Sequence, residues 1–265
     1  MSRTIALISK AGLVVAALSI AATAYAQQPP NTDERGFNCD HTFTSGAAKP
    51  ANLLRWCVSN HGNLVMFESP TGQEHIRVGD FVEGYVACSG GVGLPTPHGF
   101  DIGPEESGWG PATVSGLSSD GVTITRTTTD GSIKTTSKFT RDTVNKQINL
   151  AVTVKNNTAA TLFNVQYARI VDIDANGTFA NDWTRTRDSV IAVENPNAGL
   201  SLGTQSFQLL HFTGVIPFGD ALADCGFSGS QSTPINGDFA AKIVHVLGDL
   251  AAGASKTVKL VYKRQ

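Results

Sequence analysis

Hydrophobic and polar positions take turns along most of this chain, and the alternation is cleanest from Gln147 to Ile173. Ile148, Leu150, Val152 and Val154 interleave with Asn149, Ala151, Thr153 and Lys155. A period of two sends one row into a core and the other towards water. Asn156-Asn157-Thr158 supplies turn chemistry, and a second strand follows. In it Phe163, Val165, Tyr167, Val171 and Ile173 share one face with Arg169. A charge in such a row needs a partner or an escape to the rim. The β-branched residues and the spacing of two predict strands here, not a helix.

Shorter runs of the same kind recur at Leu53–Val58, Asn63–Glu68, Phe81–Ala87, Ala112–Leu117, Gly121–Thr128 and Ser132–Phe139. Further on they return at Asp188–Val193, Ser206–Thr213, Ala240–Leu247 and Lys256–Tyr262. Asn60-His61-Gly62-Asn63 and Ser69-Pro70-Thr71-Gly72 mark turns. Asp130-Gly131 between two alternating runs predicts a hairpin with a type I′ turn. In the closing strand Val258, Leu260 and Tyr262 point inward, while Lys256, Lys259 and Lys263 predict a guarded sheet edge. The glycine-rich segment 219–238 reads as a loop tethered by Cys225. No amphipathic helix follows residue 26. The expected architecture is an all-β antiparallel β-sandwich of about a dozen strands over residues 51–265. It is either one supersandwich or two abutting sandwiches, divided as 51–143 and 144–265.

The start of the chain is different. Arg3 and Lys10 precede an alanine-rich apolar run, 11–22, and Ala24-Tyr25-Ala26 offers a cleavage site. Residues 1–26 therefore read as a signal peptide cut after Ala26, with a secreted or periplasmic destination. The run is shorter than the roughly 20 residues a spanning helix needs, so no membrane span is expected in the mature chain. Residues 27–50 read as an extended N-terminal segment. The leader holds two of the 20 basic residues and none of the 22 acidic ones, so the remainder carries a net charge of −4. With no lysine/arginine cluster along the sequence, nucleic acid is not an expected partner. Four cysteines in an exported chain predict disulfides. Of three pairings, Cys39–Cys57 as a local loop with Cys88–Cys225 as a long-range staple is favoured. No Cys-x-x-Cys spacing suggests zinc.

Two stretches carry candidate chemistry. The Gly/Pro-rich loop 89–111 holds His98, Asp101, Glu105, Glu106 and Trp109. His98, Asp101, Glu105 and Trp109, with Trp183, form a candidate ligand-binding set for a sugar or a cation; the plainer reading is a surface crossover with solvated acids. Asp172-x-Asp174-x-Asn176-Gly177-Thr178 matches the first half of a calcium loop, with oxygen ligands at alternate positions and a glycine at the turn. Trp183 stands where the bidentate Glu belongs, and Asp182 lies one position earlier. Asp172, Asp174, Asn176, Thr178 and Asp182 are thus candidate calcium ligands. The rival is an Asn-Gly turn whose acids cap amides or pair with arginines. No nucleophile elbow, zinc-protease or phosphate-loop motif is present, and no catalytic residue is assigned.

Leu150–Asp172 together with Leu247–Tyr262 resembles the opening and closing strands of immunoglobulin-like modules in bacterial surface proteins. Ala168–Val190, with its D-x-D-A-N-G loop and R-T-x-D-S run, resembles a group of uncharacterised secreted bacterial proteins. The resemblance implies a β-sandwich and export, and brings no activity. The leading functional expectation is an exported non-catalytic protein binding a glycan or surface protein, stabilised by calcium. The alternatives are an envelope or filament subunit, and a carbohydrate-active enzyme: a glycoside hydrolase with a carboxylate pair such as Asp101 with Glu105 or Glu106, or Asp172 with Asp174, or a polysaccharide lyase with Tyr85 or Tyr167 as base. Exposed tryptophans in a groove would favour glycan binding; converging carboxylates, one of them desolvated, would favour the enzyme.

Overall fold

The structure, a computed structural model, describes residues 38–46, 49–77, 82–91, 94–217, 223–226 and 235–265. The leader, its cleavage site and residues 27–37 lie outside the described residues. Strands in chain order are β1 (His41–Ser45), β2 (Leu54–Val58), β3 (Leu64–Glu68), β4 (Glu83–Ser89), β5 (Thr96–Asp101) and β6 (Glu106–Ser107). Next come β7 (Thr113–Ser115), β8 (Gly121–Thr127), β9 (Ile133–Asp142), β10 (Gln147–Asn156), β11 (Leu162–Asp172) and β12 (Asn181–Arg185). The last six are β13 (Ser189–Asn195), β14 (Ala198–Thr204), β15 (Leu210–Pro217), β16 (Ile235–Gly237), β17 (Phe239–Leu250) and β18 (Ser255–Arg264).

They form an all-β sandwich, as the alternation predicts. Nine strands in the order β16-β12-β13-β14-β18-β10-β9-β8-β7 face six in the order β15-β17-β11-β4-β5-β6, and β1-β2-β3 make a third sheet. The 143/144 boundary joins β9 to β10, which are neighbours in the nine-stranded sheet. The inward rows expected from the sequence fill the core: Ile148, Leu150, Val152 and Val154 from β10 meet Val165, Tyr167 and Val171 from β11. A smaller cluster, Val86, Ala168, Ile170, Ala240 and Val244, lies on the other face of the six-stranded sheet, under Cys225. β11 is therefore buried on both sides. Both favoured disulfides are formed, Cys39–Cys57 and Cys88–Cys225, the chemistry of an oxidising compartment. Among the described residues no helix is long and apolar enough to cross a membrane.

Four local expectations are corrected. Phe163 is exposed, because the register shifts beside Asn164, whose φ is +47°, and the resulting bulge turns the row over. The Asp130-Gly131 hairpin forms, but only Gly131 has positive φ, so its turn is not type I′, which needs two such residues. The loop 89–111 contains β5 and β6; Pro97 and Gly99 conceal a strand that pairs along β4. β18 is no edge. It sits between β14 and β10, and Lys259 lies on the sheet's outer face, across Ala151 from Lys138. Lys138, Thr140, Asn149, Gln205 and Lys259 line a hollow of about 270 Å³ there.

Candidate functional site

The three sheets meet at a line of buried charges. It begins with Arg169, the misfit in the inward row of β11, which is fully buried. Its Nη2 lies 2.6 Å from Glu83 on β4, its Nε donates to the same carboxylate at 2.7 Å, and Nη2 also donates to the Gly62 carbonyl at 3.0 Å. The Tyr262 hydroxyl donates to Glu83 as well, and so does the Leu64 amide, at 2.7 Å. Burial pushes the Glu83 carboxyl up, while Arg169 and these two donors pull against it.

The line continues towards the surface through the tip of the β2–β3 hairpin. Gly62, at φ +93°, turns the chain there, and the Tyr85 hydroxyl donates to the His61 carbonyl at 2.7 Å. Asn63 Nδ2 donates to the Glu83 carbonyl at 2.7 Å and to Asp101 Oδ1 at 2.9 Å. Gly84 lets β5 approach β4: a Cβ at that position would stand 1.7 Å from the Asp101 carbonyl oxygen. Asp101 is thereby fixed, fully buried, with a further bond from the Gly103 amide at 3.0 Å.

Around Asp101 the group is completed by β6 and β8. Arg126 Nη1 donates to Asp101 Oδ2 at 3.0 Å and its Nη2 donates to Glu106. His61 Nδ1 lies 2.6 Å from Glu106 Oε2 and 3.4 Å from Asp101 Oδ2. Arg126 also lies over the Trp109 ring, 5.7 Å from its centroid. Two acids thus face an imidazole and a guanidinium. Burial alone would lower the proton affinity of His61, but bonds to Asp101 and Glu106 outweigh it and push its pKa up to about 9. Burial would raise Glu106; His61 and Arg126 outweigh that and hold it down at about 2. Solvent reaches the group through Glu106, whose side chain is 26% exposed, whereas that of Arg126 is 3% exposed. Chemically, this is a carboxylate beside an imidazole at a rim, braced from behind by Arg126, which bonds both Glu106 and the buried Asp101.

Of the residues singled out in the loop 89–111, Asp101 and Glu106 belong to this group. His98 faces the other way, between Ser89 Oγ (2.6 Å) and Asp130. The order serine–histidine–carboxylate is that of a nucleophile relay, but Ser89 is only 5% exposed and its contacts tie β4 to the β8–β9 hairpin. Glu105 is exposed; its neighbour Glu106 is the acid that joins. Trp109 and Trp183 are buried, and Trp183 Nε1 donates to the Gly237 carbonyl, so no exposed aromatic groove is built from them. His61 and Arg126 were not in the expected set, whereas Glu106 was, as a possible carboxylate partner of Asp101. A signal existed for one: Arg126 stands in an inward row with Val122 and Ile124, as Arg169 does in its own. Tyr85 and Tyr167 are fully buried, and burial pushes both hydroxyls up, Tyr167 to about 12; neither suits a base.

The 172–182 loop gathers differently from the half calcium loop. Asp172 and Asp174 meet Asp238, their ligand oxygens all within 4.8 Å of one another. Asn176 instead donates through Nδ2 to Glu194 at 2.7 Å. Thr178 Oγ1 donates to the Ala175 carbonyl, and Asp182, exposed on β12, accepts from Asn236. The Thr178 carbonyl, the atom a calcium loop would use, accepts from Asn181 Nδ2 at 2.8 Å, and residues 175–177 form a short 3₁₀ turn.

No family model and no curated protein matches the chain. Its fold is similar to that of a bacterial glucoamylase solved with acarbose (TM-score 0.56, 8% identity), covering 88% of this chain and 34% of that one. The chain thus spans about a third of that enzyme's length. It is also similar to an aldose 1-epimerase candidate from Escherichia coli K12 (TM-score 0.48, 14% identity, 84% and 98% covered). A galactose mutarotase related enzyme from Lactobacillus acidophilus gives 0.42 at 8% identity, with 84% and 97% covered. At these identities the likeness is one of fold. The expectation of a non-catalytic binding protein is nonetheless corrected: the fold is one that a solved sugar enzyme shares, and carboxylates converge with one fully desolvated.

Proposed function

We propose that this chain is a carbohydrate-active enzyme in which Glu106 and His61 exchange protons with a bound sugar. The observation that carries the reading is the convergence of Asp101, Glu106, His61 and Arg126 at one rim, with Glu106 open to solvent. Ionised Glu106 accepts a hydroxyl proton, and the His61 imidazolium donates one to an oxygen on the sugar. A substrate hydroxyl entering between them replaces their mutual contact. Arg126 and Asp101 position the pair. The two-carboxylate route to glycoside hydrolysis is disfavoured: Asp101 is fully buried and is held by Asn63, Gly103 and Arg126, which leaves no approach for a sugar carbon. The same reading has the enzyme act outside the cytoplasm, supported by the two disulfides and by the leader-like residues 1–26.

Proton NMR of the purified chain with free aldoses, oligosaccharides and uronate-bearing glycans tests this. One spectrum reads anomer exchange, new reducing ends and unsaturated products. Turnover by the wild type should fall about 10²- to 10⁴-fold in Glu106→Gln, the usual worth of a positioned acid or base. An inert wild type across the panel, or undiminished turnover by Glu106→Gln, removes the reading.

A further inference from the structure

β11 and β17 run antiparallel with Asp172 opposite Ala240 and Val171 opposite Ala241. Continuing that register beyond the last pair brings residue 174 level with residue 238. Two positions more than 60 apart in sequence thereby share one spot, and with Asp172 they place three carboxylates together, oxygens within 4.8 Å of one another. Asp238 is exposed and opens the spot to water, while Asp172 and Asp174 are buried.

Asp174 is the anomaly. It is 1% exposed, and among the described residues neither carboxylate oxygen finds a hydrogen-bond donor. Its amide is used, donating to the His75 carbonyl at 3.1 Å, so the backbone holds the side chain where it is. Among the described residues, the neighbouring charges that act on it are those of Asp238 and Glu74, both negative. A buried carboxylate with no donor and like-charged neighbours is costly to keep ionised. Two species relieve it: a proton or a cation. The donor set is all carboxylate oxygen, with no histidine or cysteine in it, which suits a hard divalent ion and not zinc. Three carboxylates with one open side leave room for the water and carbonyl ligands that calcium takes in its flexible six- to eight-fold shell.

We propose that Asp172, Asp174 and Asp238 bind a calcium ion that ties the end of β11 to the start of β17. The ligand set differs from the half calcium loop in replacing Asn176, Thr178 and Asp182 by one distant aspartate. The site lies apart from the His61–Glu106 pair and shares no residue with it, so its test reads binding and melting, not turnover.

The full chain, stripped with chelator, is titrated with CaCl₂ and separately with MgCl₂ by calorimetry, and its melting temperature is followed at neutral pH. Calcium should give a saturable heat and raise the melting temperature of the wild type. Asp174→Asn should lose both, and should melt no lower than the stripped wild type, since a buried charge has been removed. Asp238→Ser, at an exposed position, should weaken calcium by roughly ten- to a hundred-fold or more, as even groups that merely support a metal site are worth that. Three results overturn the proposal: no saturable heat or shift up to about 5 mM calcium, beyond the weakest extracellular calcium modules; titrations of wild type and Asp174→Asn that coincide; or an unchanged affinity in Asp238→Ser.

Discussion

Around Asp101 each charge meets its opposite, whereas the charges acting on Asp174 are of its own sign. Both carboxylates are almost fully buried, and both lie in groups of three possible ligand residues. Asp101 receives Asn63, Gly103 and Arg126; Asp174 receives none of these. Arg126 makes the difference. A guanidinium delivered from the opposite sheet pairs with the buried Asp101 and helps to hold Glu106 ionised at the rim, and the bonds of His61 to both acids favour its positive charge. With no such partner, Asp174 waits for a proton or an ion. Burial alone therefore says little about what a carboxylate does; the sign of what is buried with it decides.

The most direct way to break this contrast is to remove the guanidinium. Arg126→Met should cost about 3–5 kcal/mol in chemical denaturation, because Asp101 is left buried and uncompensated. Arg126→Met combined with Asp101→Asn should recover part of that loss. A double variant no better than the single one would mean that the pairing is not what stabilises the region.

Next in size is the pH dependence, in which His61 and Asp174 lose their contributions as pH rises and Glu106 loses its own as pH falls. His61 holds its proton to about pH 9 when folded, against 6.5 unfolded, so its contribution is full below pH 6.5 and drains away as pH rises through 9. Glu106 contributes fully above pH 4.5 and loses its share as pH falls through 2. Asp174 titrates near 7 when folded against 3.8 unfolded, so its contribution is full below pH 3.8 and lost as pH rises through 7. Melting curves should show the deficit of His61→Gln shrinking above pH 9. In chelator, the advantage of Asp174→Asn over wild type should grow from pH 4 to 7, and calcium should erase it. A pH-independent offset in either variant would point to packing in place of charge.

The smallest effect sharpens the boundary of the cation site. Asp182→Ala, at an exposed position on β12, should change stability by no more than about 0.5 kcal/mol and leave calcium affinity untouched. A lost affinity there would restore the contiguous loop as the ligand set.

Much of the architecture was legible along the chain because a strand buried on one face writes a period of two into its own residues. β8, β9, β10 and β18 were read that way, as were the two disulfides, where an even cysteine count in an exported chain leaves few pairings. Arg169 could be recognised as a charge in need of a partner, but not Glu83, which lies 86 positions earlier and meets it only because β4 pairs with β11. The same limit hid His61, which comes from a hairpin tip enclosed by all three sheets, and Asp238, placed by a register with β11. Phe163 was misread for a local reason, one bulge reversing a row, and β5 because Pro97 and Gly99 mask a strand. Sequence by itself determined which residues face inward, since that depends on near neighbours. Which charges face one another was decided only by strand pairing across the sheets, since Coulomb forces act through space and the partners are far apart in the chain.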